Sequence, residues 1–94
     1  MSVYFLAEIN EINDAKIYQE YIKKAAPIIL KFGGKYVFKS EQLQPMAGDW
    51  DLKRMILIEF ESKDKLQNCF QSEEYNEIKH LRINSVKSKA LIIE

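Results

Sequence analysis

Cysteine, histidine and tryptophan each occur once in these 94 residues, glycine three times and proline twice. The lone cysteine, Cys69, cannot close an internal disulfide, which excludes a disulfide-stapled secreted scaffold. The lone histidine, His80, has no Cys/His ligand set around it, so no zinc centre is expected. No glycine-rich turn precedes a helix. Gly33-Gly34 follows one, so the phosphate cradle of nucleotide-binding proteins is missing and no cofactor is expected. Neither charge is in excess, with 14 Lys+Arg against 14 Asp+Glu. Without a net basic face, neither nucleic acid nor an acidic membrane surface is an expected partner. No run approaches the ~18 apolar residues of a membrane helix. The opening residues Met1–Ala7 are apolar but carry no basic leader and meet Glu8 at once, unlike a secretory signal. The expected location is cytoplasmic.

What is present is an ordinary globular balance, 47% hydrophobic and 30% charged, in a length that suits one domain over 1–94. A chain this size buries about 60–65% of its unfolded surface, so the core is thin. Val3 to Ile9 predicts a first strand, apolar on both faces because Tyr4 and Leu6 alternate with Val3, Phe5, Ala7 and Ile9. Asn13 or Asp14 can cap a helix in which Tyr18, Ile22, Ala25, Ile29 and Phe32 form one stripe. Pro27 removes one ladder bond and predicts a kink near Lys23–Ala26, and Gly33-Gly34 ends the helix. Lys35 to Ser40 predicts a second strand with Tyr36 and Phe38 on one face, followed by a loop over 41–52. Lys53 to Phe60 is a third strand, again apolar on both faces at Met55-Ile56-Leu57-Ile58. Ser62 caps a helix with Leu66, Cys69 and Phe70 inward, and Ser72 starts another that runs to about Asn84. Residues 88–93 form the last strand.

That order, β-α-β-β-α-β with the second helix as a pair, predicts an α+β ferredoxin-like sandwich: a four-stranded antiparallel sheet with helices on one face and strands one and three at its centre. The other face would be bare and apolar. A second copy, sheet against sheet about a two-fold axis, covers it most simply and gives a dimeric α/β barrel. The alternative cover is the 41–52 loop folded across that face.

Several segments together resemble one family. They are Tyr18-Gln19-Glu20-Tyr21, Lys31-Phe32-Gly33-Gly34-Lys35-Tyr36, Gly48-Asp49-Trp50, Lys53-Arg54-Met55-Ile56-Leu57-Ile58-Glu59-Phe60 and Ser72-Glu73-Glu74-Tyr75, with Arg82 seven residues further on. Over nearly its whole length the chain resembles the small dimeric α/β-barrel proteins of DUF1330. The resemblance implies the same fold and a barrel-forming homodimer, and it implies no particular reaction. Such proteins often carry an arginine just after the aromatic segment of the second strand. Here Phe38 is followed by Lys39, Ser40 and Glu41, and lysine does not replace a bidentate guanidinium.

Arg82 is the most informative candidate residue. On the last helix Tyr75, Ile78, Leu81 and Ser85 define the inward side, and Arg82 falls in the same sector. An inward arginine needs an anion or acceptors. It is an anchor for a ligand carboxylate or enolate in a helix–sheet cleft, an internal ion-pair partner of Glu59, or a stem lying along the core with its head in water. Trp50, between Asp49 and Asp51, either lids a pocket or packs at the dimer rim. Arg54 and Glu59 lie on opposite faces of the third strand. Glu59 is either a paired carboxylate of the cleft or the strand's exposed end. Tyr36 and Tyr75 belong to a set of five tyrosines whose hydroxyls, where buried, need partners; some can line a polar pocket and others pack the core. His80 points away from the apolar stripe, which disfavours a haem-binding barrel, and Cys69 reads as a buried structural thiol. The expected function is binding of a small organic ligand in the cleft, with cofactor-independent chemistry on a carbonyl or enolisable compound as its enzymatic form. The alternative is a non-catalytic binding or regulatory homodimer read at the Trp50 loop.

Overall fold

Side chains that satisfy free helix amides set where the helices begin. A computed structural model describes residues 2–94 and runs β1 (Val3–Ile12), α1 (Ala15–Lys31), β2 (Lys35–Ser40), β3 (Arg54–Phe60), α2 (Lys63–Phe70), α3 (Glu73–Ser85) and β4 (Val86–Ile93). Asp14, not Asn13, caps α1 by accepting from the Ile17 amide at 3.1 Å. Ser62 and Ser72 cap α2 and α3 through the Lys65 and Tyr75 amides. Pro27 lies inside α1, which continues through it as one element. The helix closes on a paired turn: Gly34 donates to the Ile29 carbonyl and Gly33, at φ +88°, to that of Leu30. A Cβ on Gly34 would sit 2.6 Å from Ile29 Cγ2 and 2.9 Å from Phe60 Cζ, so the chain's return to the sheet needs glycine there.

The four strands are ordered β2-β3-β1-β4, each pair antiparallel, which makes the fold ferredoxin-like with strands one and three central. β1 extends three residues beyond the expected Ile9, because a bulge between Ile9 and Glu11 lets Glu11 and Ile12 pair with Lys87 and Val86. For the same reason β4 begins at Val86 rather than 88, directly after α3.

Successive residues alternate faces. Phe5, Ala7 and Ile9 therefore share one face with Ile58, Ile56 and Arg54 of β3 and with Ile92, Ala90 and Ser88 of β4. This face meets the helices, and Ala25, Ile29, Leu66, Cys69, Tyr75 and Ile78 pack on Ile58 and Phe60 as the main core. The opposite face carries Tyr4, Leu6, Met55, Leu57, Leu91 and Ile93. Residue positions span 32 × 31 × 15 Å, the thinness of a two-layer sandwich. Leu91 is 54% exposed, Ile93 41% and Phe38 40%. The 41–52 segment does not fold across them.

One strand departs from its expected pattern. Tyr36 pairs with Ile58 and Phe38 with Leu57, a register shift at Val37 that places the two aromatics on opposite faces. A bulge adds one residue to one strand only, so the period of two breaks there.

Candidate functional site

Four alanines, Ala7, Ala25, Ala26 and Ala90, leave room between α1, α3 and the helix-facing side of the sheet. The space is a cleft of about 260 Å³ with a floor of Phe5, Ile9, Ile56 and Ile58. The polar groups on its walls are the phenols of Tyr18, Tyr21, Tyr36 and Tyr75, the Ser88 hydroxyl, and four cations: Lys39, Arg54, Lys79 and Arg82. Among the described residues, no aspartate, glutamate or histidine lines it.

α3 places Tyr75 and Arg82 seven residues apart, two turns along one side. Arg82 Nε donates to the Tyr75 hydroxyl at 3.2 Å and Nη1 to Ser88 Oγ at 3.5 Å. The Tyr75 and Tyr21 hydroxyls are 2.8 Å apart, and the Tyr21 ring meets the Tyr75 ring edge-on. Arg82 thus joins a chain of hydroxyls from β4 through α3 to α1. Among the described residues no carboxylate pairs with it.

Burial is the main cause of the phenol shifts. It pushes Tyr36 up to about 12, raises Tyr18, and raises Tyr21 far above the ordinary tyrosine range. These hydroxyls are therefore hydrogen-bond donors at neutral pH and not bases.

Of the six residues singled out in the sequence, four meet in the cleft: Arg82, Tyr75, Tyr36 and Arg54. Two do not. Glu59 faces the other side of the sheet, where the Ser2 hydroxyl donates to it, so it is neither a cleft carboxylate nor the partner of Arg82. Trp50 is half exposed, bonds the Ala47 carbonyl at 2.7 Å, and lines a separate hollow with Leu43, Pro45, Met46, Leu52 and Met55. Met55 belongs to the open face, so the Trp50 loop borders that face and does not lid the cleft. His80 is exposed. Cys69 is fully buried, and burial pushes its thiol up to about 11, the behaviour of an inert side chain.

Sequence reasoning missed Lys39, Lys79 and Ser88 as lining residues and left open which of the five tyrosines line a pocket. Tyr18 lies on the apolar stripe of α1, and a stripe alone does not separate a core contact from a cavity wall. Ser88 carried a signal: it alternates with Ala90 and Ile92 on the strand face that meets the cleft.

Solved structures share this architecture. A protein of unknown function from Rhodopseudomonas palustris is 17% identical, with 98% of this chain and 80% of that one covered and a TM-score of 0.81. SnoaB, a cofactor-independent oxygenase from Streptomyces nogalater, is 10% identical, with 99% and 91% covered and a TM-score of 0.73. A dimeric ferredoxin-like protein of unknown function from Thermobifida fusca is 13% identical, with 99% and 90% covered and a TM-score of 0.67. No curated protein matches the sequence. Among the described residues no helix is long and apolar enough to cross a membrane, and no three potential ligands cluster for a metal. Residues 2–94 match the model described as Domain of unknown function (DUF1330), and the chain belongs to that family.

Proposed function

We propose that this chain is a homodimer, paired through the open faces of its sheets, in which each subunit binds a small organic anion with a flat, unsaturated body in its helix–sheet cleft. The observation that carries the reading is Arg82, an inward guanidinium that meets hydroxyls and no carboxylate. Arg82 is half-buried, and a partly desolvated cation without a counterion gains from one, which a ligand carboxylate or enolate would supply. The aromatic walls, Tyr18, Tyr21, Phe70 and Tyr75, suit a planar body, and small ligand sites are commonly apolar with a few convergent polar groups.

A titration of the protein with benzoate, followed by amide NMR, tests it. Saturable shifts at Ile9 and Ser88 are expected, and Arg82→Met should weaken them roughly tenfold or more, the loss of a charge-assisted hydrogen bond. Equal binding by Arg82→Met, or no shifts in the cleft, removes the reading.

A second reading adds chemistry: an enolate formed from a bound carbonyl compound, stabilised without a cofactor. Its motive is the hydroxyl chain: Arg82 Nε donates to the Tyr75 hydroxyl, which shares a hydrogen bond with Tyr21, so one phenol proton of the pair is left to donate to an enolate beside the guanidinium charge. SnoaB shows that a protein with this architecture can be a cofactor-independent oxygenase. The cleft's lack of a carboxylate or imidazole favours plain binding, because the proton lost on enolisation would have to go to water or to the ligand's own carboxylate. Deuterium exchange at the benzylic C3 of phenylpyruvate separates the two: exchange above the buffer rate that Arg82→Met abolishes supports catalysis, and buffer-rate exchange supports binding alone.

A further inference from the structure

One row across the sheet has Arg54 at one end and, at the other, Ser88, which Arg82 reaches from α3. On β1, Ile9 lies opposite Arg54 of β3 on one side and opposite Ser88 of β4 on the other. Ser88 receives the Arg82 guanidinium. Two inter-strand spacings, roughly 10 Å in all, therefore separate the two anchoring positions over the same floor residue.

The Arg54 end holds unpartnered donors. The Arg54 side chain is 12% exposed, its Nε has no partner, and its guanidinium lies 5.9 Å from the centre of the Tyr18 ring. Tyr18 is 2% exposed, and its hydroxyl has no partner either. Buried donors left unmade are expensive to keep. Among the described residues the one carboxylate paired with Arg54 is Glu41, at 3.4 Å, whose side chain is 69% exposed at the start of the long loop. An exposed carboxylate at that distance holds the arginine weakly. Glu41 behaves as a stand-in at the cleft's rim, easily displaced by an anion from within.

We infer that the cleft has two anion anchors, Arg82 with Ser88 and Arg54 with Tyr18, and selects ligands carrying two acidic groups. This rests on the reading that Arg82 anchors an organic anion, and it narrows the ligand to a small dicarboxylate or an acid with a second ionised oxygen. Two more cations, Lys39 and Lys79, and no acid complete the lining, so the cleft's charge suits a dianion.

Calorimetric titrations compare butyrate and benzoate with glutarate and isophthalate at one ionic strength. The diacids should bind roughly tenfold or more tightly than the monoacids, as a second charge-assisted contact requires. Arg54→Gln should erase that advantage and bring diacid affinity down to that of the monoacids in the same variant. Glu41→Gln should strengthen diacid binding about two- to fivefold, the weight of a weak surface pair. Equal affinity for both classes, or a diacid advantage that survives Arg54→Gln, overturns the second anchor and leaves the Arg82 reading standing. Failure of every acid to bind removes both. Should Arg54→Gln lose its circular dichroism, Glu41→Gln decides alone, because its side chain is exposed: no gain for diacids overturns the proposal.

Discussion

Phenols in the cleft wall trade solvent for one another and for an arginine, and that exchange reaches stability as well as binding. Tyr36 holds its proton up to about 12 in the fold against 10.0 when unfolded, and Tyr18 and Tyr21 move the same way. Because the unfolded chain releases these protons first, stability present below pH 10.0 falls as pH rises toward 12. Tyrosinate absorbance followed beside circular dichroism should show a late fraction that ionises only as helix is lost. Complete ionisation with the fold intact would contradict the buried assignment. The inward placement of Arg82 was legible in the sequence, since a helix turns 100° per residue whatever surrounds it. The position of Glu59 was half legible. The period of two separates it from Arg54, but which face receives the helices is decided by the other elements.

At the scale of the element, α3 is the device that presents Tyr75 and Arg82 together. Its N-cap, Ser72, both accepts from the Tyr75 amide at 3.1 Å and donates to the Cys69 carbonyl at 2.7 Å, which ties α3 to the end of α2. Ser72→Ala should therefore cost about 1 kcal/mol, the usual weight of a lost cap, and lower the melting temperature by roughly 4–8 °C. Scanning calorimetry measures this directly, and an unchanged melting temperature would show that the cap does not hold α3. The caps and the glycine stop after α1 were legible because they depend on neighbours in sequence, and the strand order because the β-α-β-β-α-β succession of elements implies it. The bulge at Val37 was not: it is a property of pairing with β3, and it alone decides that Tyr36 enters the cleft while Phe38 leaves it.

Across the whole molecule, one sheet face supports the helices and the other presents Leu91, Ile93 and Phe38 to whatever covers it. In the proposed homodimer a two-fold axis would bring each of these side chains into the interface twice. Leu91→Asp should then shift the light-scattering mass at micromolar concentration from dimer to monomer, with the circular dichroism spectrum retained. A wild-type monomer under those conditions would sink the homodimer, and an unaltered dimer mass in the variant would place the interface elsewhere. The loop bearing Trp50 borders this same face, so its exposure lies on the side the proposed homodimer would cover and not in the cleft.

By itself the sequence determined the α+β order, the helix ends, the two-faced apolar centre of the sheet and the inward turn of Arg82. Each follows from local spacing or from the chemistry of one side chain. Only the tertiary structure decided that Arg54 shares a row across Ile9 with Ser88, the partner of Arg82, that four alanines open a cleft there, and that Glu59 and Trp50 lie outside it. Those are relations between elements distant in the chain, fixed by strand register and by which face the helices cover.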